Sequence, residues 1–129
     1  MAVSSMNHFT ILTDDLDGTV GFYRELLELQ PGPRPAFDFP GAWLYPPGGP
    51  RAILHIMAGR LRRELVKGVI DHNAFTGQGL VETVGKLQAR GIRYDLQRLP
   101  GIGTWQLFFH DPNGAKVEID FDAAEPAPA

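Results

Sequence analysis

The chain has 129 residues, 43% of them hydrophobic and 21% charged, enough to make one domain of ordinary size that folds without disulfides or a structural metal. Its 12 basic and 15 acidic residues give a formal net charge of −3, which speaks against nucleic acid as a partner because phosphate binding needs a dense positive surface. Cysteine is absent, so thiol nucleophiles, thiolate metal sites and disulfides are excluded; a cytoplasmic protein is expected, with no secretory leader at Met1 to Met6 and no apolar run of membrane-spanning length.

Asn7 to Leu12 opens the chain's ordered part as an apolar stretch of strand character. Asp15 is placed to cap a helix whose Val20, Tyr23 and Leu27 recur at helical spacing, with Phe22 and Leu26 widening the stripe. Ala42 to Tyr45 and Ala52 to Met57 read as strands, parted by Pro46-Pro47-Gly48-Gly49-Pro50. A solvated connector carrying Arg60, Arg62, Arg63 and Lys67 follows. After Asp71 to Thr76, the apolar residues Leu80, Val84 and Leu87 repeat the helical spacing, and Gly91 is a natural left-handed stop. Ile92 to Gln97, Trp105 to His110 and Lys116 to Phe121 read as strands, with turns at Pro100-Gly101-Ile102-Gly103 and Asp111-Pro112-Asn113-Gly114. Ala123 to Ala129 reads as a frayed Ala/Pro tail.

Thr19-Val20-Gly21 recurs as Thr83-Val84-Gly85, and His8 recurs as His72 at the same offset. A duplicated module explains both. The single domain thus divides into a first βαβββ module at about 6–58, a connector at 59–70, a second module at about 71–122 and the tail at 123–129.

Side chains alternate between the faces of a strand. Phe9 and Ile11 share one face, which sends His8 and Thr10 to the other. Leu54 and Ile56 leave His55 opposite them, and Phe75 leaves His72 opposite. Val117, Ile119 and Phe121 form an apolar row, with Glu118 across from it beside Lys116 and Asp120. With helices covering the apolar faces, His8, His55, His72 and Glu118 all point to the uncovered side, two from each module. A twofold relation between modules would converge them. Imidazole nitrogen and carboxylate oxygen are ligands of borderline divalent ions, so one nickel, zinc, manganese or iron ion is expected, the four not being separable by donor type. His110, at the edge of the Asp-Pro-Asn-Gly turn, reads as structural or solvent-exposed.

Asn7-His8-Phe9-Thr10, the run Thr19 to Leu27 with Phe22-Tyr23, Asp71-His72-Asn73-Ala74-Phe75, and Phe108 to Gly114 leading into Val117-Glu118-Ile119 resemble the vicinal oxygen chelate superfamily. That group includes glyoxalase I, bleomycin-resistance proteins, fosfomycin-resistance transferases, methylmalonyl-CoA epimerase and extradiol dioxygenases. The resemblance runs from His8 to Phe121 and implies an α+β, glyoxalase-like fold in which two tandem βαβββ modules form a curled mixed sheet around a metal cleft. It carries His8, His72 and Glu118 over as metal ligands. His55 falls where glyoxalase I has a fourth ligand, usually glutamate or glutamine. A homodimer is implied too, in many relatives with His8 and His55 from one chain and His72 and Glu118 from the other.

The activity implied first is that of a metal-dependent lyase or isomerase of the glyoxalase type, acting on a small substrate with vicinal oxygens. Glu118 is then the catalytic base that moves a proton between neighbouring carbons. The alternatives are an extradiol-type dioxygenase with ferrous iron and a non-catalytic binder of the bleomycin-resistance kind. Extradiol members usually place a tyrosine shortly before the glutamate ligand, where this chain has Phe108 and Phe109. Bacterial glyoxalase I has an arginine late in the first strand that helps hold glutathione, where this chain has Leu12. Fosfomycin-resistance enzymes share the His-x-Thr pattern of His8 and Thr10, but their lysine and serine cluster is unmatched. Thr10, Trp43, Tyr45 and Trp105, with Phe37 and Phe39, are candidates for the substrate pocket wall. Arg98 to Thr104 reads as a lid with glycine hinges or as a plain hairpin connection.

Overall fold

The computed structural model describes residues 1–2, 5–59 and 70–129. They fall into two compact units, Met1–Glu64 and Leu65–Ala129. Arg60, Arg62, Arg63 and Lys67 of the expected connector lie outside the described residues. Among those residues, no helix is long and apolar enough to cross a membrane.

Unit 1 runs β1 (Phe9–Leu12), α1 (Leu16–Leu27), β2 (Gln30–Pro31), β3 (Gly41–Tyr45) and β4 (Leu54–Met57). Its sheet has the order β1-β4-β3-β2, with β1 parallel to β4 and the other pairs antiparallel. The expected cap is made: Asp15 Oδ1 accepts from Gly18 N at 3.0 Å. Gly18 lets the cap close without displacing the carboxylate, since a Cβ would stand 2.2 Å from Asp15 Oδ2. The buried line of α1 is Thr19, Phe22, Tyr23 and Leu26; it contains the expected Phe22, Tyr23 and Leu26, while the expected Val20 and Leu27 are only half-buried. Thr19 tolerates burial because its hydroxyl meets Thr13 Oγ1 at 2.9 Å. Leu44, Leu54 and Ile56 complete this core. Each such large apolar side chain contributes roughly 1.5 to 3 kcal/mol on burial.

Unit 2 repeats the order as β5 (Asn73–Thr76), α2 (Leu80–Ala89), β6 (Tyr94–Arg98), β7 (Trp105–His110) and β8 (Lys116–Phe121), with sheet order β5-β8-β7-β6. Leu80, Val84, Leu87, Leu107, Phe109, Val117, Ile119 and Phe121 are its buried apolar residues. Thr83, the repeat of Thr19, is also buried, its hydroxyl donating to Gly79 O at 2.9 Å. β6 starts two residues later than the sequence implied, since Ile92 N still donates to Leu87 O and closes the helix end. Gly91 takes the expected left-handed conformation at φ 66°.

Of the two forms expected for Arg98 to Thr104 the second is found, and the reading of the tail is corrected. Arg98 to Thr104 is a hydrogen-bonded hairpin connection, closed by Leu99 N to Thr104 O and Gly103 N to Leu99 O at 2.9 Å each, and by Arg98 Nη1 donating to Gly103 O at 3.0 Å. The terminal segment is not frayed at its start. Glu125 Oε1 accepts from Gly79 N at 3.0 Å and Leu80 N at 2.7 Å, capping α2, which has no side-chain cap of its own at Gly79.

Candidate metal centre

In unit 1 the register places Thr10 of β1 and Trp43 of β3 on either side of His55 in β4. His55 lies between the buried Leu54 and Ile56, so alternation turns it to the opposite face. His8, one residue before β1, stacks on it with ring centroids 3.7 Å apart, and Trp43 stacks at 4.0 Å with rings 6° from parallel. Burial, and then the charge of His8, lowers the His55 pKa and favours the neutral imidazole that a metal requires. His8 Nδ1 meets Asn7 Oδ1 at 2.8 Å. An amide oxygen only accepts, so Nδ1 carries the hydrogen and Nε2 is left as the donor atom.

Unit 2 treats its histidine the same way. His72 Nδ1 donates to Asp71 Oδ2 at 2.8 Å, and Lys116 Nζ lies 3.4 Å from the same oxygen. His72 Nε2 stands 2.7 Å from Glu118 Oε2, the Glu118 side chain being 6% exposed. A proton or a divalent cation can join those two atoms. Glu118 Oε1 accepts from Gln106 Nε2 at 2.8 Å. Asp120, next on the same face of β8, has a carboxyl pushed up to about 6, by burial first and then by its hydrogen bond to Glu118 and that group's charge, while His72 pulls the other way. Its Oδ1 is buried without a hydrogen-bond partner among the described residues.

No family model matches the chain. Glyoxylase I 4 of Arabidopsis thaliana is 32% identical to it over 125 residues, covering 91% of this chain and 70% of that protein. The chain belongs to the vicinal oxygen chelate superfamily. Among solved structures, a glyoxylase/bleomycin resistance protein/dioxygenase domain from Frankia sp. EAN1pec matches with a TM-score of 0.71 and 25% identity, over 94% of this chain and 99% of that one. A mutant of the fosfomycin resistance protein FosX from Listeria monocytogenes, complexed with Mn(II) and 1S,2S-dihydroxypropylphosphonic acid, matches at 0.73 with 17% identity over 95% of each chain. The FosX likeness is one of fold.

This vicinal oxygen chelate protein brings together His8 and His55 in unit 1, and His72 and Glu118 in unit 2. Among the described residues, no group of three or more histidine, aspartate or glutamate side chains is gathered in a metal-holding arrangement. Thr10 and Trp43 share the face of His55, and Tyr45 shares it by alternation. The Tyr45 ring is committed to its own unit's fold: its hydroxyl donates to Pro33 O at 2.5 Å, and a Cβ on Gly32 would come within 2.7 Å of it. Trp105 does not belong with the site. Paired with Phe121, it alternates with Gln106 and lies on the face of the buried Leu107 and Phe109. Its indole donates to Glu125 O at 3.0 Å, and Arg98 covers its ring at 3.8 Å. Phe37 stacks on Phe39 at 5.1 Å and tilts against Trp43 at 6.4 Å. His110 is exposed.

Three residues at the site went unread in the sequence: Asn7, Asp71 and Gln106. The signal for the first two was adjacency, since each precedes a candidate ligand and can accept from its ring. For Gln106 it was alternation with Trp105 and Leu107, which puts it on the face of Glu118.

Proposed function

We propose that the protein is a divalent-metal-dependent lyase or isomerase of the glyoxalase type, its metal held by His8, His55, His72 and Glu118. The observation that carries this reading is the parallel treatment of His8 and His72. In each unit the preceding residue takes up Nδ1 at 2.8 Å and leaves Nε2 as the donor. Metal-binding imidazoles almost always have their second nitrogen held in this way.

The donor chemistry fits the group. Three imidazoles and one carboxylate suit a borderline divalent ion, His55 is biased to its neutral form, and Glu118 is buried with one oxygen turned to His72. The Mn(II) complex of FosX supports a divalent ion as the cofactor; nickel, zinc and iron suit the same donors.

When bound, the metal supplies a Lewis acid for two vicinal oxygens of a small substrate. The Glu118 carboxylate would take the proton from the carbon beside the carbonyl and return it to the neighbouring carbon. Thr10 and Trp43 form pocket wall beside His55. The lyase reading is favoured over ring cleavage by Phe108, which occupies the position facing Glu118 across the ladder and brings no hydroxyl. The active form is a homodimer in the cytoplasm.

The test is direct. Nickel- or zinc-loaded protein given hemithioacetals under argon is expected to convert them, and Glu118→Ala to lose about a hundredfold or more of that rate. Tight binding of an aromatic ligand by metal-free protein, with no conversion under any metal, would make it a binder instead.

A further inference from the structure

The two oxygens of Glu118 have different partners. Oε2 faces His72 Nε2 at 2.7 Å, and Oε1 accepts from Gln106 Nε2 at 2.8 Å. A carboxylate can only accept, so the Gln106 amide must present its nitrogen here. Its oxygen is thereby turned away, and Gln97 Nε2 donates to it at 3.0 Å. Gln97 and Gln106 are direct cross-strand partners on β6 and β7, and Gln106 pairs in turn with Asp120 on β8. The result is a directed chain from Gln97 through Gln106 to Glu118, running across three strands on one face.

We propose that Gln106 is a positioning residue that commits Glu118 to one-oxygen metal binding through Oε2, with Gln97 setting the direction of the Gln106 amide. This rests on the metal reading above. The terminal torsion of a glutamate is soft and nearly twofold, so a carboxylate without a donor on Oε1 turns freely and offers either oxygen to a cation. Glu118 is too buried for bulk water to substitute for that donor. The Gln106 bond, together with the hydrogen bond between Asp120 and Glu118, removes this freedom. An amide donor does so without adding charge, which a lysine or arginine would bring into competition with the ion.

Mn(II) titration, with free ion counted by electron paramagnetic resonance, tests this on the intact wild-type chain and on Gln106→Met and Gln97→Met, which keep side-chain length and lose the hydrogen bonds. Gln106→Met is expected to bind Mn(II) at least about tenfold more weakly, with an altered spectrum for the bound ion, while the melting temperature of the metal-free protein stays close to wild type. Gln97→Met is expected to weaken binding by a smaller factor. A residue of structural importance alone would lower the melting temperature and leave the affinity of the folded protein unchanged. Wild-type binding with Gln106→Met within twofold of it would overturn the positioning role and leave the metal reading standing. A wild-type chain that takes up no divalent ion would overturn both. Should Gln106→Met fail to fold, the exposed Gln97 carries the test, and unchanged affinity in Gln97→Met overturns the proposal.

Discussion

Phe108 stands directly across the β7 and β8 ladder from Glu118, on the same face of the sheet, and meets the His72 ring edge-on at 5.8 Å. The position facing the carboxylate therefore offers carbon where a ring-cleaving site needs a proton donor. Protein loaded with ferrous iron and given a panel of catechols is expected to consume no oxygen above the rate of free iron, as followed with an oxygen electrode. Rapid uptake with a yellow ring-cleavage product would reverse the order of lyase and dioxygenase.

Asp71 governs the direction of His72. Its Oδ2 holds Nδ1 at 2.8 Å, and Lys116 Nζ reaches the same oxygen at 3.4 Å. Asp71→Ala is expected to weaken divalent-metal binding about tenfold or more. Lys116→Ala removes only a partly exposed ion pair and is expected to cost less than about threefold. Competition against a chromophoric chelator measures both, and unchanged affinity in Asp71→Ala would contradict its part in directing His72.

Glu125 caps α2 from far along the chain, accepting from Gly79 N and Leu80 N. Glu125→Ala leaves two amides at the helix start without that acceptor. The expected loss is about 1 kcal/mol, seen as a melting temperature lower by roughly 3 to 5 °C. Calorimetry on the metal-free chain decides it. An unchanged melting temperature would mean that water serves those amides equally well.

Where a strand's pattern was strict, the sequence was enough. β7 and β8 have the bounds expected of them because apolar residues alternate through Leu107, Phe109, Val117, Ile119 and Phe121, all buried. The same alternation puts His55 and Glu118 on polar faces. β2 was illegible: it is two exposed residues, Gln30 and Pro31, that exist as a strand only through pairing with Tyr45 and Leu44. Pro31 suits that edge position, having no N–H to give. Residue type makes Trp105 a candidate for the pocket wall, whereas alternation with Leu107 assigns it to the core face. Gln106 and Asp71 escaped because neither is a metal ligand; their part is set by hydrogen bonds between side chains, which spacing alone does not display.

The resemblance in sequence implies pairing between chains. Sedimentation at micromolar concentration is expected to give a species of twice the 14.2 kDa chain mass. A single 14.2 kDa species at that concentration would remove the dimer from the account.

If four side chains hold one ion, a change in either unit must release it. His8 belongs to unit 1 and Glu118 to unit 2, so His8→Ala and Glu118→Ala are the decisive variants. Metal content per chain, measured by elemental analysis after equilibration with Mn(II) and removal of free ion, is expected to be one for wild type and close to zero for both variants, each of them folded by circular dichroism. One tightly held ion per chain retained in both variants would contradict the shared donor set.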